Sequence, residues 1–224
     1  MAQPVLNLHH LAFLSGLPAA QAEELTRVSE LRQYRDGERI FTQGDRIPGI
    51  FVVVHGSLKA FRTDGRGKLQ VLEFLHAGQC VGEVPIFDGQ PIASSAEAHG
   101  ETQCWLIPSA ALRQVAHRDP LVAEAMIQHF AAKVRHLVAL VDQLSLHSVP
   151  ERVAQLLVEY LEKTPGKHLV EFEETQEDLA QCIGASREAF SRALRLLSDL
   201  GLIQSTFPVV RIEDPVKLAR YARG

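Results

Sequence analysis

From Asp119-Pro120 to about Leu146 the chain runs without a glycine or a further proline. Asp119-Pro120 is a helix start signal, with proline at the first helical position, where its missing N–H costs nothing. Along the run, Ile127, Val134 and Val141 recur at a spacing of seven, as do Phe130, Leu137 and Leu144, three residues later. This is an a/d seam with β-branched residues at a and mainly leucine at d, the pattern of a parallel two-stranded coiled coil. The alternative is a helix laid on its own domain, which also needs an apolar stripe. The narrowness of the seam favours a homodimer.

The sequences on either side follow different rules. Before the helix, a short helical segment (Leu11 to Val28) gives way to runs punctuated by glycine, among them Gly37, Gly44, Gly56, Gly67, Gly78, Gly82, Gly89 and Gly100. Ile50 to Val54 and Leu69 to Leu75 are rich in β-branched and bulky apolar residues, as strands are. Asp64-Gly65-Arg66-Gly67 between two such runs reads as a hairpin turn. Regular turn signals point to an all-β barrel or sandwich. After the helix, Pro150 opens another helix to about Lys163, Pro165-Gly166 breaks it, and a short strand follows at His168 to Phe172.

Thr175 to Ser198 carries the functional signal. Thr175 can cap a helix whose first turn holds Glu177 and Asp178, acids suited to its positive end. Leu179, Ala180 and Ile183 give that helix one apolar face, and Gly184 can end it. Ser186 can cap a second helix with Phe190, Ala193, Leu194 and Leu197 on one face. Arg187, Glu188, Ser191, Arg192 and Arg195 lie mostly on the other. This is a helix-turn-helix whose second helix has the chemistry of a major-groove reader. Arginine donates twice to guanine, and glutamate accepts from cytosine. An ordinary solvated face with an i,i+4 pair, Glu188 to Arg192, is the bland alternative. A hairpin from Leu202 to Thr206 and Val209 to Ile212, around Phe207-Pro208, reads as a wing whose edge can touch phosphates.

Composition excludes several classes. No stretch approaches the roughly 18 apolar residues of a membrane helix, so no membrane association is expected. Met1-Ala2-Gln3-Pro4 lacks the features of a signal peptide, so the chain is expected in the cytoplasm. The net charge of −4 excludes a uniformly basic nucleic-acid binder but leaves room for a local basic face. The cysteines Cys80, Cys104 and Cys182 form no CxxC pair and read as reduced thiols. There is no Walker loop, GxSxG, HExxH or dinucleotide fingerprint, so an enzyme is not expected. His76 and Cys80 offer only two ligands where a structural zinc site takes four, so no metal site is expected.

The chain resembles the cyclic-AMP receptor protein (CRP/FNR) family of bacterial transcription regulators over nearly its whole length. In the N-terminal part the likeness rests on Asp36-Gly37-Glu38, Ile40 to Asp45, His55-Gly56-Ser57-Leu58 and Ala77 to Glu83. In the C-terminal part it rests on Ile183 to Glu188 and on Ser191-Arg192. The resemblance implies an α+β architecture in three parts. Residues 1–118 would be a β-roll sensor (a cyclic-nucleotide-binding-like jelly roll), 119–147 a long dimerisation helix, and 148–224 a winged helix-turn-helix. It also implies that Arg187 and Arg192 contact guanines, Glu188 a cytosine, and Ser186 and Thr175 phosphates, with Gln176, Ser191 and Arg195 at the same interface. The DNA would be a TGTGA-like inverted repeat, and RNA polymerase a further partner.

The effector cassette matches less well. Gly82-Glu83 is kept, and in the family that glutamate meets the ribose region. The arginine of the following Arg-Ser pair, which clamps the cyclic phosphate, is replaced by Ala93 (or Ile92), ahead of Ser94 and Ser95. The family's adenine-contacting hydroxyls become Leu137 and Val138. An anion buried without its cation is costly, so the expected effector is not cyclic AMP and is otherwise unknown. With no cysteine before Cys80, an iron-sulfur cluster is not expected. Haem stays open, with His9, His10, His55, His76 and His99 available and none preferred. Two alternatives therefore remain: a haem-based gas-sensing regulator, and a ligand-binding or scaffold protein that does not bind DNA.

Overall fold

The computed structural model describes residues 14, 19–67, 69–163 and 168–224. They cluster into two compact units, Met1–Arg135 and His136–Gly224. Residues 11–13 and 15–18 of the expected Leu11–Val28 helix and the candidate ligands His9 and His10 lie outside the described residues; helix α1 spans Ala19–Val28.

The first unit is built on an antiparallel sheet. Strands β1 (Glu30–Tyr34), β2 (Arg39–Phe41), β3 (Gly49–Thr63), β4 (Leu69–Leu75), β5 (Cys80–Val81) and β6 (Ser95–Pro108) form it. The order is β1-β6-β3-β4, with β2 on β6 and β5 on β3. The two long strands, β3 and β6, pair from Gly49↔Pro108 to Phe61↔Ser95. The apolar run in β3 reflects burial on both faces. Ile50 and Val52 pack in one cluster, Phe51 and Val53 in another, as the two-residue period of a strand requires. The expected turn joins β3 to β4, where Gly67 N–H donates to the Asp64 carbonyl and Arg66 N–H to the Asp64 carboxylate.

Two helices here were not read from the sequence. Helix α2 (Val84–Asp88) is one turn long, and α3 (Ser109–Arg118) buries Leu112 and Val115. Leu25 of α1, Leu112 and Val115 of α3, and Val122 and Met126 of the long helix α4 (Pro120–Leu146) complete the Ile50–Val52 cluster. Beyond Met126, α4 bares Ile127, Val134, Leu137, Val138 and Val141, while Phe130 and Leu144 are half-buried.

The second unit holds α5 (Val149–Lys163), α6 (Gln176–Cys182), α7 (Arg187–Asp199) and α8 (Pro215–Tyr221). Its small sheet, in the order β7-β9-β8, consists of β7 (Leu169–Glu171), β8 (Ile203–Thr206) and β9 (Val209–Ile212). One core joins them, with Val153 and Leu157 of α5, Leu179 of α6, Phe190 and Leu197 of α7, Val210 of β9 and Leu218 of α8.

Candidate nucleic-acid interface and effector region

The helix-turn-helix is held together by local chemistry that its sequence specifies. Thr175 caps α6 in a reciprocal capping box. Its side chain accepts from Asp178 N–H, and the Asp178 carboxylate accepts from Thr175. Gly184 sits at φ 63°, in the left-handed region, and Ala185 N–H closes the helix end on the Ala180 carbonyl at 2.8 Å. Arg152 of α5 donates its guanidinium to the Ile183 carbonyl and so fixes the turn from a third helix. Ser186 then caps α7 by accepting from Ala189 N–H at 3.2 Å.

On α7, Phe190, Ala193, Leu194 and Leu197 are buried in the core. Arg187, Glu188, Arg192 and Arg195 are exposed and Ser191 is half-exposed, with Ser186 and Thr175 exposed and Gln176 half-exposed beside them. The Glu188 backbone N–H, and after it the Ser186 hydroxyl, hold the Glu188 carboxyl below its usual range. It is therefore ionised and ready to accept hydrogen bonds. The wing is β8–β9, and Phe207 at its tip stacks on Phe172 at 5.9 Å between ring centroids.

In the first unit, Gly82 adopts φ +94°, and a Cβ there would meet Ile47 Cδ1 at 2.6 Å. That position therefore requires glycine. The next residue, Glu83, is only 2 % exposed. Lys133 of α4 places its ammonium 2.6 Å from Glu83 Oε1 and 3.0 Å from Glu73 Oε1. His129, one turn earlier on α4, lies 3.2 Å from the same Glu83 oxygen. Burial alone would raise the Glu83 carboxyl, but the His129 ring and the Lys133 ammonium outweigh it and hold the group below its usual value. Cys80 is 3 % exposed, and burial pushes its thiol well above the ordinary range, so it is neutral here. Sequence reading missed His129 and Lys133, because nothing local ties α4 to a glutamate 46 residues earlier.

Ser95 is buried and its hydroxyl accepts from Gln43 N–H at 3.0 Å. Ser94 is half-exposed and Ala93 exposed. Leu137 and Val138 are exposed at 48 % and 63 % and belong to the second compact unit. Of the histidines, His55 is exposed beside a shallow hollow lined by Tyr34, Glu38 and Thr102. His99 packs edge-on to Phe74, and His76 is half-buried. No described helix is long and apolar enough to cross a membrane.

Known proteins match both halves. The cyclic nucleotide-binding domain family matches residues 31–119, and the Crp-like helix-turn-helix domain family matches 151–221. The "CRP-like cAMP-activated global transcriptional regulator" of Mycobacterium tuberculosis is 27 % identical over 220 residues, covering 96 % of this chain and 98 % of that protein. The "Cyclic AMP receptor protein" of Thermus thermophilus is 28 % identical over 209 residues, covering 93 % and 95 %. The structure of FixK2 from Bradyrhizobium japonicum superposes with a TM-score of 0.77 at 22 % identity, over 87 % of this chain and 97 % of that one, a likeness of fold. Members of this lineage are transcription regulators and not enzymes. With a nucleotide-binding-type β domain ahead of a Crp-like helix-turn-helix, the chain belongs to the CRP/FNR family of transcription regulators.

Proposed function

We propose that the protein binds DNA as a homodimer at a TGTGA-like inverted repeat, under the control of an effector in its β-roll that is not cyclic AMP. In this reading residues 1–118 sense, 119–147 dimerise and 148–224 read DNA. The observation that carries it is the split of α7 into a fully buried apolar face and an exposed face bearing Arg187, Glu188 and Arg192. A helix that only packed would have no use for that outward set. Two such helices, roughly 34 Å apart, would enter successive major grooves. The exposed stripe Ile127, Val134, Leu137 and Val141 supports the dimer, since apolar residues at seam spacing leave water when a second copy pairs with them. The reading places the protein in the cytoplasm with RNA polymerase as a partner.

The names of the mycobacterial and Thermus relatives speak for cyclic AMP. Against it stand Ala93 where a phosphate-clamping arginine is expected, and a Glu83 carboxylate already engaged by Lys133 and His129. Fluorescence anisotropy with a TGTGA inverted repeat and a scrambled duplex, at one moderate salt concentration, tests the DNA reading. Preference for the repeat is expected, and equal affinity would overturn it. Thermal unfolding with cyclic AMP, cyclic GMP and haemin tests the effector. A ligand at a hundred times its Kd adds about 2.7 kcal/mol. No shift with cyclic AMP is expected.

A further inference from the structure

The second unit and the seam are accounted for by DNA binding and dimerisation. The cluster around Glu83 is not. Cys80 ends on the same point as Glu83 and His129, and their ligand atoms all lie within 4.8 Å of one another. Three elements supply them: β5, the residue that opens α2, and α4. Cys80 and Glu83 are buried and His129 is half-buried.

We propose that Cys80, Glu83 and His129 bind one divalent transition-metal ion of the zinc type. Thiolate, imidazole and carboxylate together suit zinc, cobalt or ferrous iron, and not the hard cations magnesium and calcium. Zinc bonds of about 2.0–2.3 Å separate tetrahedral ligands by roughly 3.3–3.8 Å. Ligand atoms that now lie within 4.8 Å of one another would draw in by roughly 1 Å to reach that. Three protein ligands leave a fourth position open, as in zinc sites that take water or an exogenous ligand.

The charge balance favours the ion. Without it, one ammonium (Lys133) faces two carboxylates (Glu73 and Glu83), and this partly buried cluster carries one net negative charge when His129 is neutral. On coordination Cys80 loses its S–H proton to solvent and the sulfur bonds to the metal. Lys133 gives up Glu83 and keeps Glu73. Two positive charges are gained and one proton is lost, so the cluster becomes neutral. The ion would also clip the β5–α2 corner to α4. That it thereby changes DNA affinity rests on the effector reading above; binding itself does not.

The test uses the full chain, stripped with a chelator and titrated with cobalt(II). One cobalt per chain is expected, with a near-ultraviolet thiolate-to-cobalt band that zinc abolishes and magnesium does not. Cys80→Ser should remove the band and Cys182→Ser should leave it. His129→Gln should weaken binding tenfold or more. Circular dichroism checks that each variant is folded. X-ray absorption of the zinc-loaded wild type needs no variant, and should show one sulfur at about 2.3 Å beside nitrogen and oxygen ligands. A band untouched by Cys80→Ser, no band at all, or a shell without sulfur would overturn the site. Duplex affinity with and without zinc separates the two readings. A preserved band with unchanged affinity overturns the effector role alone. A band in a protein that ignores the TGTGA repeat overturns the DNA reading alone.

Discussion

Arg187 stands on the first turn of α7 with its guanidinium in solvent, so removing it touches no core contact. Arg187→Ala should cost about 1–3 kcal/mol of affinity for the TGTGA repeat, roughly 5- to 150-fold. Affinity for scrambled DNA should fall much less, and anisotropy on both duplexes separates the two. Glu151 acts differently. Its carboxylate accepts from the Ser148 N–H and hydroxyl at 2.6 and 2.8 Å, which caps α5. Those bonds, the backbone one first, hold its carboxyl below the usual value. A carboxyl depressed in the folded state stabilises fully above its unfolded pKa of about 4.3 and loses that contribution as pH falls through the depressed value. Acid titration by circular dichroism should therefore show helix loss below about pH 4 beginning at a higher pH in Glu151→Gln, which starts without the ionised cap. Ser186, Thr175 and Gly184 were legible because each acts on backbone within a few residues. The convergence of Cys80 and Glu83 with His129 was not, because only the packing of α4 on the β domain brings them together.

At the scale of elements, α4 buries Val122 and Met126 and then bares the seam. The seven-residue repeat was visible in the sequence because a helix converts spacing directly into direction. The parent is expected to sediment as a dimer and the double variant Val134→Glu/Val141→Glu as a monomer, since like charges would face each other in the desolvated seam. Far-ultraviolet circular dichroism should stay close to the parent's. Helix α6 depends on its cap, so Thr175→Ala should lower stability by about 0.5–2 kcal/mol in urea unfolding. Helices α2 and α3 escaped the sequence reading for opposite reasons. The first is a single turn, too short for any period. In the second, only Leu112 and Val115 are buried, too sparse an apolar stripe to read as a helix. The strand β6 was not read from the sequence, because its alternation is interrupted at Gly100 and Glu101, where its register with β3 is irregular.

Over the whole molecule, the change of pattern at Pro120 announced two kinds of architecture, and both are present. The compact units divide within α4, at Arg135/His136, and not at its ends. A helix that runs on through such a boundary leaves no composition signal there. The net charge of −4 gives the bulk of the chain no attraction for DNA, so binding must come from local cations such as those on α7. For a dimer making about 6–10 phosphate contacts, affinity should fall by about 10³–10⁵ between 50 and 200 mM salt. A shallow slope in a salt titration would mean that few phosphates are held.

The two faces of α7 also bear on descent. Phe190, Ala193, Leu194 and Leu197 answer to the core, while Arg187, Glu188, Arg192 and Arg195 are exposed and Ser191 half-exposed on the opposite face, outside it. Substitutions at such surface positions usually change stability by no more than about 0.5 kcal/mol. After gene duplication, one copy can exchange its operator through a few outward replacements without passing through an unfolded ancestor. Regulatory wiring and structural integrity are thus inherited on separate residues of one helix, and the first can drift while the second is conserved by selection.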